Sequence, residues 1–192
     1  GSVAGIYDKF GEQRCFDTPL SEDTMMGFGL GAALNGLRPI NIHIRVDFLL
    51  LAMNQLANMV SIYQYMSGSI LKVPLVIRAV IGRGWGQGAQ HSKSMHSVFS
   101  HIPGLKVIMP TTPKDAKGML IAAIRDTNPV LMIEHRWLYW QEDEVPDEPY
   151  TVSLEGASVL KEGSDITIVA TTWMNVEALR ASQILDKIGV SV

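Results

Sequence analysis

Three residues in the first half of the chain could do chemistry together. Glu22 stands in the stretch FDTPLSED, just ahead of TMMGFGLGAALNG. Phe48 closes the apolar run PINIHIRVDF, and His91 follows the glycine-rich segment GRGWGQGAQHSKS. A carboxylate beside a face that lets a flat ring approach is suited to proton chemistry on a heterocycle. An aromatic beyond the carboxyl end of a strand can stack on that ring, and a histidine on a neighbouring loop can move a second proton. Taken singly, each has a plainer reading. An acid in the first turn of a helix is favoured by the helix dipole, and a phenylalanine is core material. A loop histidine is usually just solvated.

The helix after Glu22 sharpens the question. A glycine in a helix interior costs about 1 kcal/mol relative to alanine, so Gly27, Gly29 and Gly31 together cost roughly 3 kcal/mol. Something must approach that backbone closely, either another element or a ligand. The loop glycines Gly82, Gly84, Gly86 and Gly88 do not form a phosphate-binding GxxxxGK[ST] motif. Nor does a helix open directly at them as a dinucleotide fingerprint requires. His96, His101 and His135 lack metal-ligand spacing, and His43, within a strand, reads as packed. No GxSxG elbow is present.

The elements that must position these residues alternate between short apolar runs and longer segments of helical period, the pattern of a parallel α/β sheet. The spacing predicts a helix over SVAGIYDKFG, a strand near RCFDT and a helix from about Pro19 to Leu34 with Thr18 as its cap. A strand in PINIHIRV leads to a long helix ending at Gly68. A strand in VPLVIRAV is followed by the glycine-rich loop and a short helix in SMHSVFSHIPG. A strand in LKVIMP, a helix in TPKDAKGMLIAAIRD and a strand in PVLMIEH complete a domain over residues 1–140. Residues 141–152, acidic and holding prolines, read as a linker. Residues 153–192 read as the start of a second α/β domain: a hairpin or edge strand and a parallel strand over SLEGASVLKEGSDITIVATT, then a helix and a strand opening at VSV.

The totals narrow the function. The 192 residues carry a net charge of −3 and are 47% hydrophobic. With no basic run, nucleic acid is not an expected partner. No uninterrupted run of eighteen apolar residues points to a membrane. A single cysteine, Cys15, excludes an internal disulfide and fits a reducing, cytoplasmic setting. It reads as a buried core thiol.

Taken together, FDTPLSE, GFGLGAALNGLRPI, DFLLLAMNQLANMVSIYQYMSG, QHSKS, HIPGLKVIMPTTPKDAKGMLIAAIRDTNPVLMIEHRWLY and GSDITIVATT resemble the beta subunits of thiamine diphosphate-dependent 2-oxo acid dehydrogenases. These include the pyruvate, branched-chain 2-oxo acid and acetoin types. The resemblance implies a transketolase-like pyrimidine-binding domain. It implies that Glu22 hydrogen-bonds the N1′ nitrogen of the cofactor's aminopyrimidine, that Phe48 stacks on that ring and that Ile44 lines its pocket. His91 is implied near the substrate and the incoming lipoyl group. A potassium ion on the backbone carbonyls of Ala123, Ile124, Asp126 and Asn128 is also implied. The family's alpha subunit holds the diphosphate through magnesium with a GDG motif, and no GDG occurs here. Half of the cofactor site is therefore expected from another chain, with a lipoyl acyltransferase as acyl acceptor and no activity from this chain alone.

Relatives begin earlier and continue past Val192, so the chain is expected to be truncated at both ends and to self-associate through an uncovered face. Ile42, Arg45, Trp85 and Lys93 depart from the family's pattern. An arginine three residues before Phe48 is expected to crowd or repolarise the pocket. Two other readings stand beside this one: another transketolase-like pyrimidine domain, and a non-catalytic remnant that only folds and associates.

Overall fold

A computed structural model describes residues 3–192. Four strands, β1 (Ile40–His43), β2 (Val76–Ile81), β3 (Lys106–Ile108) and β4 (Val130–His135), form one all-parallel sheet in the order β1-β2-β4-β3. The register pairs Ile40 with Val76, Val76 with Val130, and Lys106 with Val130. The two central strands are apolar almost throughout because both of their faces are covered. Along β4, Leu131 and Ile133 join the larger core, while Val130 and Met132 join the smaller one on the opposite face. This is the period of two expected of a strand.

The larger core packs under helices α2 (Glu22–Leu34) and α3 (Val46–Met66). By length and composition α3 could cross a membrane. In this fold it is a core helix: Val46, Leu49, Ala52, Leu56 and Val60 are all fully buried. It is not uniform. Leu50–Ala52 tightens into a 3₁₀ turn, and Leu56–Val60 widens into a π turn. There the Ser61 N–H donates to the Leu56 carbonyl, five residues back. A π turn displaces the following carbonyl, and Gly104, at φ +85°, fits against the Ser61 carbonyl where no Cβ has room.

Helix α4 (His96–Ser100) precedes β3, and α5 (Pro113–Arg125) covers the smaller core. Thr112 caps α5, its hydroxyl accepting from the Asp115 N–H at 3.0 Å, with Pro113 at the first helical position. On the α5 face, Arg78 of β2 and Glu134 of β4 form a two-pronged ion pair at 2.6 and 2.9 Å. The Tyr139 hydroxyl donates to the same carboxylate at 2.7 Å. They border a cavity of about 310 Å³.

Several expectations are corrected. The first helix, α1, is Ile6–Phe10, and the expected start at Ser2 lies outside the described residues. No strand forms near RCFDT. Among the described residues no strand pairs with that mostly exposed segment, and Phe16 rests edge-on against Phe28. Cys15 sits in a bend and is only half-buried, not a core thiol. Helix α2 starts at Glu22 after Ser21, not at Pro19 after Thr18. Between residues 141 and 172 there is no helix or strand, and VSV forms no strand. A strand needs a neighbour to pair with. Here the Asp165 and Ile166 N–H groups both donate to the Ser191 carbonyl, too short a pairing to make a strand. Helix α6 (Trp173–Asp186) is present as expected. It docks beyond the carboxyl ends of β3 and β4: Asn175 donates to Thr111 at 2.6 Å, and Trp173 packs on His135 and Trp137.

One glycine of the glycine-rich helix has its explanation. A Cβ on Gly29 would lie 2.6 Å from Asn41 Nδ2, while that amide donates to the Met25 carbonyl at 2.9 Å. Gly29 is therefore bare because β1 presses a polar side chain onto the helix. A Cβ on Gly27 would make ordinary contact with Gln55, and one on Gly31 would meet nothing within 4 Å.

Candidate active site

The carboxyl end of β1 gathers most of the expected residues. His43 ends the strand, exposed Ile44 follows, and α3 begins at once, carrying Asp47 and Phe48. Half-buried Phe48 meets the His91 ring edge-on, with centroids 5.0 Å apart. His91 itself closes the 3₁₀ turn Ala89–His91 after the glycine-rich loop. Parallel strands bind ligands beyond their carboxyl ends, so this is where a site belongs.

Glu22, the first residue of α2, is half-buried, and its carboxylate accepts no hydrogen bond from the described residues. Its charge is felt by His43, which is buried with Nε2 unpartnered. Burial pushes the His43 imidazole below its ordinary pKa, and Glu22 partly opposes that shift. The structure thus joins Phe48 directly to His91, and Glu22 to the same strand end through His43. His43 reads in the sequence as mere packing. Its place as the last residue of an edge strand is the signal that it borders the site.

The glycine-rich loop has a built conformation. Gly82, Gly84, Gly86 and Gly88 all have positive φ, and so does Trp85 at +58°. Arg45 does not stand free beside Phe48. Its Nε donates to Gln87 Oε1 at 2.7 Å and its Nη1 to the Ile44 carbonyl at 2.6 Å. Lys93 donates to Asp47 Oδ1 through both its backbone N–H, at 3.3 Å, and its Nζ, at 3.1 Å. Two of the departures expected to disturb the pocket, Arg45 and Lys93, are thus absorbed by partners. Arg136 is the residue that sequence reasoning misses. Fully buried, it reaches the loop from the end of β4.

The carbonyls of Ala123, Ile124, Asp126 and Asn128 lie elsewhere, between the end of α5 and the amino end of β4. Arg38 donates to the carbonyls of Ile124 and Asp126, at 2.6 and 2.8 Å, and the Ala123 carbonyl accepts from the Asp126 N–H. Burial tends to raise the Asp126 carboxyl, but hydrogen bonds from Lys106 and Asn128 hold it below the usual range. Among the described residues no group of three or more His, Cys, Asp or Glu could hold a metal ion.

Residues 2–141 match the family described as transketolase, pyrimidine binding domain. The chain belongs to that family. This pyrimidine-binding domain chain is 43% identical over 190 residues to the acetoin:2,6-dichlorophenolindophenol oxidoreductase subunit beta of Cupriavidus necator, covering 99% of this chain and 56% of that one. It is 41% identical over 191 residues to the 2-oxoisovalerate dehydrogenase subunit beta of Bacillus subtilis, covering 99% and 58%. It is 42% identical over 176 residues to a pyruvate dehydrogenase E1 component subunit beta of Gracilaria tenuistipitata var. liui, covering 92% and 54%. The pyrimidine-binding domain chain thus spans a little over half the length of these relatives. Among solved structures, a split gene transketolase, described as an inactive beta4 tetramer, superposes with a TM-score of 0.78 at 23% identity. That match covers 98% of this chain and 58% of the other, and it supports the fold.

Proposed function

We propose that this chain supplies the aminopyrimidine half of a thiamine diphosphate site in a two-chain 2-oxo acid dehydrogenase. The observation that carries the reading is the site's make-up: an unbonded, half-buried carboxylate at the head of α2, with an aromatic and a histidine in contact beyond the strand ends. The beta-subunit relatives set that site in its chemical context. The residues fit the cofactor. Glu22 has no hydrogen-bond partner among the described residues to give up, Ile44 is exposed apolar surface, and Phe48 is half-buried.

Thiamine diphosphate, when bound, supplies the electron sink that lets a 2-oxo acid lose carbon dioxide. Glu22 would hold a proton at the pyrimidine N1′, Phe48 would stack on that ring, and Ile44 would keep water from its edge. His91 would exchange a proton with the reacting substrate or with the lipoyl group that receives the acyl unit. The diphosphate and its magnesium fall to an alpha chain, since no GDG motif occurs here. The acyl acceptor is a lipoyl acyltransferase, and the setting is cytoplasmic. Exposed Leu20, Phe28 and Ile70 support association of the chain with itself or with that alpha chain. Potassium forms no part of the proposal, because the Arg38 guanidinium already supplies a cation to two of the four carbonyls.

The test is calorimetric binding of thiamine diphosphate with magnesium, with and without a candidate alpha chain, together with 2-oxo acid decarboxylation. Binding is expected only with the alpha chain. Glu22→Gln is expected to lower turnover by roughly 10²- to 10⁴-fold, the usual weight of a placed acid–base group. Full turnover in the Gln variant would overturn the assignment.

A further inference from the structure

We propose that Arg136 and Trp85 are positioning residues that latch the glycine-rich loop so that His91 stays against Phe48. The proposal rests on the reading of His91 given above. The Arg136 guanidinium is fully buried and spans the loop: Nη1 donates to the Gly84 carbonyl and Nη2 to the His91 carbonyl, each at 2.9 Å. Its planar fork is what allows one side chain to hold two carbonyls seven residues apart. The guanidinium groups of Arg136 and Arg45 both lie over the Trp85 ring, 4.9 and 5.6 Å from its centroid. Arg45 in turn holds Gln87, and Asp47 holds Lys93 on the far side of His91.

The loop needs such a device. Five of its residues between Gly82 and Gly88 have positive φ, so its backbone has many alternatives. Trp85 adopts its φ of +58° against the ordinary preference of an L-residue, which holds only if its contacts over-determine it. Those contacts are the two arginines. The result is a histidine tied at its own carbonyl, tied again two residues on, and met edge-on at its ring by Phe48. A small displacement of such a group costs a reaction heavily.

The experiment uses the full chain assembled with its alpha partner. Trp85→Gly is the informative variant, because Trp85 is 55% exposed and glycine accepts the same φ, so the fold is not at risk. Trp85→Phe keeps a ring for both arginines to lie over. Two readouts are taken: trypsin cleavage after Arg83 and Lys93, and turnover of the 2-oxo acid that the wild type accepts. Trp85→Gly is expected to be cleaved at least tenfold faster and to lose about 10- to 100-fold in kcat, with thiamine diphosphate affinity unchanged and most of the loss restored by Trp85→Phe. Arg136→Met should reproduce the loss, and Arg136→Lys should rescue it only partly. Faster cleavage with unchanged kcat would overturn the latch, as would cleavage at the wild-type rate. Failure of the cofactor reading shows separately, as full turnover in Glu22→Gln.

Discussion

Substituting the glycines of α2 separates close packing from idle flexibility. Gly31→Ala adds a methyl where nothing lies within 4 Å. It should gain the full helix-propensity difference, about 1 kcal/mol. Gly29→Ala gains the same term but drives a Cβ to 2.6 Å from Asn41 Nδ2 and 3.0 Å from Oδ1. Asn41 must then release the Met25 carbonyl, a loss of about 0.5–1.5 kcal/mol. The crowding itself costs a further 1–3 kcal/mol or so. Gly29→Ala should therefore be net destabilising by about 1–3 kcal/mol, while Gly31→Ala stabilises. In a chain of this size each kcal/mol moves Tm by roughly 2–4 °C. Urea unfolding followed by far-ultraviolet circular dichroism, at equal protein concentration, reads both. Adding Asn41→Ala to Gly29→Ala should return much of the loss, a coupling expected of residues in contact. If Gly29→Ala raises the midpoint as Gly31→Ala does, the reasoning that β1 dictates this glycine is wrong.

Other outcomes follow from the buried charges. Arg78→Met leaves the Glu134 carboxylate buried without its cation, their side chains being 13% and 8% exposed, and should cost about 3–5 kcal/mol in denaturant unfolding. The Arg78→Met, Glu134→Leu pair should recover most of that, and equal losses in the single and double variants would refute the pairing argument. His43 is held below its ordinary pKa chiefly by burial, against the pull of Glu22. The unfolded chain therefore takes up the proton first, and stability present above about pH 6.5 is lost as pH falls below it, by up to about 1.4 kcal/mol per pH unit. A His43→Asn variant should show a flatter stability profile between pH 7 and 5, and an unchanged slope would remove His43 as the cause.

The strands were legible because β2 and β4 are apolar runs bounded by breakers, and α5 because Thr112-Pro113 announces its start. The family was legible from whole segments such as FDTPLSE and QHSKS. What escaped the sequence depends on partners distant along the chain. Arg136 lies 45 residues from the His91 carbonyl it holds, and Arg45 lies 42 from Gln87. No local pattern encodes either. The expected strands near RCFDT and VSV failed because local propensity cannot supply a neighbouring strand. Of the α2 glycines expected to mark a close approach only Gly29 does so, and what approaches it, Asn41, belongs to the next element.

The docking of α6 has an optical consequence. Trp137 and Trp173 stand 5.2 Å apart at 87°, and Trp173 lies nearly parallel to His135. A guanidinium caps each of these indoles, Arg83 on Trp137 and Arg180 on Trp173. Two indoles held in contact in a fixed, asymmetric setting absorb differently from free ones. The junction between the sheet and the last helix therefore carries its own near-ultraviolet signature, separate from the signal of helix content. The chain reports its own assembly in light, without any label.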